Sequence, residues 1–176
     1  MGTVWHPLDA LGGVVSHKNP RAAVLVPLYE DGDRLRVILT KRPDDMRTHA
    51  GDVVFPGGVI DNDEGPVAAA VREAEEEIGL PPENVQVLGG LSVVAPRDPT
   101  MVIVPVVARV ERPDELVPEP GEVAAIIEPT LDELLDESRW KTRWWGPRRL
   151  WFYEFEEGTL WGATAFMMRE LLGYFR

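Results

Sequence analysis

The stretch 66–78 constrains this chain more than any other. Pro66 suits the first position of a helix, where its missing N–H costs nothing, and Gly79 suits the left-handed position just past a helix end. At about 100° per residue, Val67, Val71, Ala74 and Ile78 fall in one stripe, the expected core face. Glu73, Glu76 and Glu77 fall together on the opposite side at spacings i, i+3 and i+4, next to Ala69 and Ala70, whose small side chains leave room for a ligand. Carboxylates this close repel. At about 6 Å each pair costs ~0.7 kcal/mol in water and ~3 kcal/mol at an effective dielectric of about 20. A solvated acidic face lives with that repulsion, whereas a divalent cation removes it, and oxygen-only ligands suit Mg2+ or Mn2+ rather than zinc.

The neighbouring residues decide between these readings. From Gly58 the chain runs through five residues to Glu64 and seven more to Arg72-Glu73-Ala74. One residue separates this from Glu76-Glu77, and one more from Gly79-Leu80. This pattern resembles the Nudix box at every defined position, and chance agreement at a given start is on the order of one in ten million. The resemblance implies an α/β fold, an α/β/α sandwich with a central mixed β-sheet, in which a loop–helix–loop holds metal over a diphosphate. It implies Glu73 and Glu77 as metal ligands, with Glu76 joining them and a backbone carbonyl at Gly57 or Gly58 adding another. It implies that Glu64 and Arg72 brace the loop and orient the glutamates, as residues behind a ligand must. The implied catalytic group is thus Arg72, Glu73, Glu76 and Glu77, and the implied reaction is attack of water on phosphorus. The base lies either in the box or on a distant loop. Glu122, at the end of the proline-rich segment 111–122, is a candidate, and an ordinary surface loop residue is the plainer reading.

The residues before the box carry a second resemblance. Leu39-Thr40-Lys41-Arg42, then Arg47, His49, Gly51 and Phe55-Pro56-Gly57-Gly58, are similar to the extra signature of coenzyme A pyrophosphatases, with Pro43 departing from the usual Ser or Ala. The stretch 160–165 looks like that subfamily's closing helix, so the resemblance covers most of 20–172. It implies hydrolysis of coenzyme A or its thioesters to a 4′-phosphopantetheine product and adenosine 3′,5′-bisphosphate. Coenzyme A carries a 3′-phosphate besides its diphosphate. Lys41, Arg42, Arg47 and His49 concentrate positive charge in an acidic chain, and with Gly58 they form the expected substrate-binding set. Pro96 is a marker of ADP-ribose pyrophosphatases, which keeps ADP-ribose or another nucleoside diphosphate derivative as an alternative; a loop proline explains it equally well. A non-catalytic nucleotide sensor is a third reading, disfavoured by the intact glutamate set.

The remaining features set bounds. At 176 residues the chain is expected to form one domain, 1–176, with an irregular lead-in over 1–20 and the box at 58–80. Strands are expected over 22–29, 35–40, 53–55, 85–94, 101–110, 123–127 and 150–155, with helices over 66–78, 129–136 and 159–175. Cysteine is absent, which removes disulfides and thiolate sites. The start shows no signal-peptide pattern, and the longest apolar run, 101–110, is too short to cross a bilayer, so a cytoplasmic protein without membrane contact is expected. The net charge of −12 argues against long nucleic acid and leaves a small nucleotide-type substrate as the partner. A homodimer is expected from family habit alone. Four of the six tryptophans lie in 140–151, where packing explains most of them and base stacking is the other reading; His6 and His17 read as surface residues.

Overall fold

The structure, a computed structural model, describes residues 4–17, 19–95 and 100–176. Pro96 lies outside the described residues. In chain order the strands are β1 (Ala22–Asp31), β2 (Arg34–Val37), β3 (Leu39–Lys41), β4 (Asp52–Val54), β5 (Gly57–Val59) and β6 (Val85–Gly90). They continue with β7 (Ile103–Val110), β8 (Ala125–Ile127), β9 (Trp140–Trp145), β10 (Arg148–Glu154) and β11 (Thr159–Trp161). The helices are α1 (Pro66–Ile78), α2 (Leu131–Leu135) and α3 (Gly162–Gly173). The lead-in holds a 3-10 turn at His6–Ala10 and a bridge from Gly12 to Gly90.

The strands divide between two mixed sheets. The first runs β2-β1-β7-β6, with β5 also paired to β1; β1 and β7 are parallel and the other pairings antiparallel. The second runs β8-β3-β4-β11-β10-β9, parallel only between β4 and β11. Strand β1 explains the layering. Ala23, Leu25 and Tyr29 enter a core shared with α1, while Val26 and Leu28 enter a second core shared with α2, α3 and the second sheet. Covered on both faces, the strand is nearly continuously apolar, as buried strands are. The mixed α/β class expected from the sequence is what the chain adopts.

Several local expectations change. The run expected as one strand over 35–40 breaks at Ile38, whose N–H donates to Pro27 O at 3.0 Å, so that β2 stays in the first sheet and β3 enters the second. After the strand expected at 53–55 ends, Gly57 and Gly58 begin a further strand, β5, against β1. The closing helix starts at Gly162 rather than 159, because residues 159–161 form β11 beside β4. Strand β9 was not expected at all. Helix α2 begins with Thr130 and Glu133 capping each other, a device that satisfies two end N–H groups at once. Among the described residues, no helix is long and apolar enough to cross a membrane.

Candidate active site

The site is built where β5 passes between β1 and α1. Gly57 has to be glycine there: a Cβ would lie 2.3 Å from Ala23 O and 2.6 Å from Val24 Cα, inside the backbone of β1. That closeness lets the Gly57 N–H donate to Glu77 Oε2 at 3.1 Å. At Gly58 a Cβ would lie 2.5 Å from the Glu73 carboxyl carbon, so the second glycine leaves space for a carboxylate rather than for backbone. Helix α1 ends as expected on Gly79, at φ 66°. Its buried residues are Ala69, Ala70, Ala74, Glu77 and Ile78, so the expected core stripe holds at Ala74 and Ile78 and is corrected at its other positions. Val67 and Val71 are half-buried, and Ala69 and Ala70 do not make room for a ligand but let the helix lie close on β1.

Glu73, Glu77 and Glu122 offer oxygens that all lie within 4.8 Å of one another. Glu122 reaches the pair because its loop is pinned to the end of α1. Val117 N–H donates to Ile78 O at 3.0 Å, Glu119 N–H to Glu77 O at 2.9 Å, and Glu122 N–H to Glu119 O at 3.1 Å. Glu76 stands outside this group, exposed, with its carboxylate accepting from Arg72 Nη1 at 3.2 Å. Arg72 also donates to Glu64 Oε1 at 2.6 Å, Glu73 Oε1 at 2.8 Å and Val59 O at 3.1 Å, while Glu64 accepts from the Asp61 N–H at 3.0 Å. One guanidinium thus ties the β5–α1 loop to the face of the helix. Its hydrogen bonds hold the Glu64 carboxyl below, and the Arg72 guanidinium above, their ordinary ranges.

Burial pushes the Glu77 carboxyl up to about 8, and the Glu73 and Glu122 carboxylates push the same way against the Gly57 N–H and the Arg42 guanidinium. Burial also raises Glu73, against its bond from Arg72. Three crowded acids with only oxygen donors fit a hard divalent cation, whose charge offsets both burial and repulsion. A consequence for stability follows. Between its ordinary value of 4.5 and about 8, Glu77 binds more protons in the fold than in the unfolded chain. Its contribution therefore falls as pH rises through that window. Melts in chelator should show wild type losing stability from about pH 5 to about pH 8 relative to Glu77→Gln, with Mg2+ or Mn2+ restoring it at the upper end. Parallel curves for the two proteins would contradict this.

The expected substrate-binding residues converge only in part. Arg42 lies in the electrostatic field of Glu77, and its Nε is buried with no hydrogen-bond partner. Lys41 pairs with Asp44 at 3.1 Å. Arg47 is exposed on the β3–β4 loop. His49 holds a positive φ of 55°, and its Nδ1 lies 2.9 Å from Asp52 Oδ2. The other oxygen of Asp52 accepts from Trp161 Nε1 at 2.8 Å, which ties that loop to β11. Nothing local in the sequence marks Asp52 or joins it to Trp161, which there belongs only to the stretch 160–165; a contact across 109 positions joins them.

Comparison with known proteins matches this arrangement to a family. The NUDIX domain family model matches residues 19–149. The chain is 37% identical to an uncharacterized Nudix hydrolase NudL of Photorhabdus laumondii, over 89% of this chain and 86% of that one. It is 39% identical to mitochondrial Nudix hydrolase 15 of Arabidopsis thaliana, over 84% of this chain and 56% of that longer protein. Among solved structures it resembles the Nudix hydrolase RenU of M. smegmatis, with a TM-score of 0.57 and 29% identity over 71% of this chain and 83% of that one. Since the family model spans most of the chain and its box places two of the three clustered carboxylates, the chain belongs to the Nudix family and is a hydrolase of diphosphate bonds in small nucleotide-type substrates.

Proposed function

We propose that the enzyme hydrolyses coenzyme A or its thioesters, with Mg2+ or Mn2+, to 4′-phosphopantetheine or its acyl form and adenosine 3′,5′-bisphosphate. The observation that carries this reading is Arg42. Its buried Nε lacks a partner beside the carboxylate cluster, at the end of the Leu39-Thr40-Lys41-Arg42 strand that resembles the coenzyme A signature. A buried donor left unpaired costs about 1–3 kcal/mol, and a phosphate oxygen is the acceptor that suits a guanidinium best. Arg47, exposed on the same loop, supplies further positive charge for the diphosphate.

In this reading Glu73 and Glu77 hold the cation with the Gly57 carbonyl. When bound there, the ion would supply the charge that neutralises the diphosphate and lowers the pKa of water. Arg42 orients the diphosphate, and Gly58 leaves the Glu73 carboxylate room to move. Glu122 takes the proton of the attacking water from the solvent side. The water oxygen bonds to phosphorus, the bond from that phosphorus to the bridging oxygen breaks, and the bridging oxygen leaves on the other phosphate. Arg72 and Glu64 hold Glu73 in place, and Glu76, bonded to Arg72, belongs with them rather than with the ligands.

A panel of coenzyme A, an acyl-coenzyme A, ADP-ribose, NADH and diadenosine polyphosphates, each with Mg2+ and with Mn2+, tests the assignment. Coenzyme A or its thioester should give the highest kcat/KM, by about tenfold or more over ADP-ribose. ADP-ribose turned over with coenzyme A untouched would replace it with the second reading. Tight nucleotide binding with no turnover would leave a sensor.

A further inference from the structure

One face of the second sheet leads away from the carboxylates as a row of side chains that no step above uses. Register fixes which residues share it. Trp161 lies opposite Phe152 across β11 and β10, and Phe152 opposite Lys141 across β10 and β9. Side chains alternate along a strand, so Leu150 and Arg143, then Arg148 and Trp145, point the same way. The other face carries Trp140, Trp151 and Tyr153 into the core against α3.

The chemistry of the row is that of a nucleotide shelf. The Trp161 and Phe152 rings are parallel to within 6°, with centroids 6.0 Å apart, and both are half-buried. The Arg143 guanidinium sits 5.7 Å above the Phe152 ring, and the His49 ring 6.4 Å from that of Trp161. Among the described residues, Lys141, Arg143 and Arg148 form no ion pair with an acid, although the chain carries a net charge of −12. The β9–β10 hairpin, 140–154, holds four cations against a single acid, Glu154 at its far end, which accepts from the Thr159 hydroxyl; this runs against the trend of the molecule. Trp161 is anchored by Asp52, whose backbone carbonyl accepts from the Arg42 N–H at 2.9 Å, so the shelf is continuous with the diphosphate site. With strands about 4.8 Å apart, Phe152 lies about 10 Å across the sheet from β4, near the span from a diphosphate over a ribose to its base.

We infer that this face binds the nucleotide end of the substrate, the base against Trp161 and Phe152 and a ribose phosphate, separate from the diphosphate being cut, against Arg143 and Lys141. The inference rests on the coenzyme A reading for the identity of that extra phosphate, and on the sheet for its place. Aromatic faces accept any base, so the arginine supplies the discrimination.

Calorimetric titration with adenosine 3′,5′-bisphosphate and with AMP tests it, using wild type, Arg143→Gln, Arg143→Lys and Phe152→Leu. Wild type should bind the bisphosphate about tenfold or more tightly than AMP. Arg143→Gln should lose most of that preference with AMP affinity kept within about twofold, Arg143→Lys should keep part of it, and Phe152→Leu should weaken both ligands. In turnover, Arg143→Gln should raise KM for coenzyme A by about tenfold with kcat within about twofold. No preference in wild type, or a preference untouched by Arg143→Gln, overturns the site. A preference that depends on Arg143 in an enzyme that does not cut coenzyme A keeps the site and removes the substrate assignment. Coenzyme A turnover indifferent to Arg143 does the reverse.

Discussion

Glu77→Gln is expected to lower kcat/KM by about a thousandfold or more, ~4 kcal/mol of transition-state stabilisation, while the protein stays folded. The amide keeps the shape of the side chain and an oxygen to accept the Gly57 N–H at the same place. It removes the charge that the proposed mechanism uses to hold a cation. Stability should not suffer, because the wild-type carboxyl is buried and pushed up to about 8 without an ion. Mn2+ affinity, measured by calorimetry, should fall with turnover. Glu122→Gln provides the contrast: exposed on its loop, it should keep most of the Mn2+ affinity and still lose turnover by about a hundredfold, as removal of a base does. Equal loss of metal in both variants would make Glu122 a ligand instead, and unfolding of Glu77→Gln would make that acid structural.

Helix α1 was legible to the residue because its signals are local. Pro66 and Gly79 mark its ends by their own backbone preferences, and the fixed offsets of the glutamates carry the family pattern. Its buried side is legible only in part, at Ala74 and Ile78, for the opposite reason. Periodicity weights large apolar residues, yet the close approach of α1 to β1 selects Ala69 and Ala70 and leaves Val67 and Val71 half-buried. The break at Ile38 leaves no mark in the sequence, since an apolar run reads alike whether one sheet or two receive it. Strand β11 was absorbed into the following helix because three residues are too few to show a period of two. Glu122 was visible as an acid on a proline-rich loop, but its approach to Glu73 and Glu77 depends on the pinning of that loop to α1, which is tertiary. The cations of the β3–β4 segment were visible as composition; that Lys41 is spent on Asp44 while Arg42 keeps a free buried Nε is geometry.

The paired glycines separate fold from chemistry. Gly57→Ala is expected to cost about 3 kcal/mol or more and to lower the melting temperature by roughly 6–12 °C in a domain of this size. Its methyl would enter the backbone of β1 at Ala23 and Val24, and β1 cannot yield, being clamped between two cores. Gly58→Ala meets something softer. The atoms nearest its methyl would be those of the Glu73 carboxylate, which can rotate away at the expense of its 2.8 Å bond from Arg72. That variant should melt within a few degrees of wild type and yet lose about tenfold to a hundredfold in turnover, because a ligand pushed off its position binds the cation in the wrong geometry. Thermal melts and initial rates on the two proteins read the difference directly. If Gly57→Ala melts like wild type, β5 does not lie against β1 as described; if Gly58→Ala keeps full activity, Glu73 does not hold the cation.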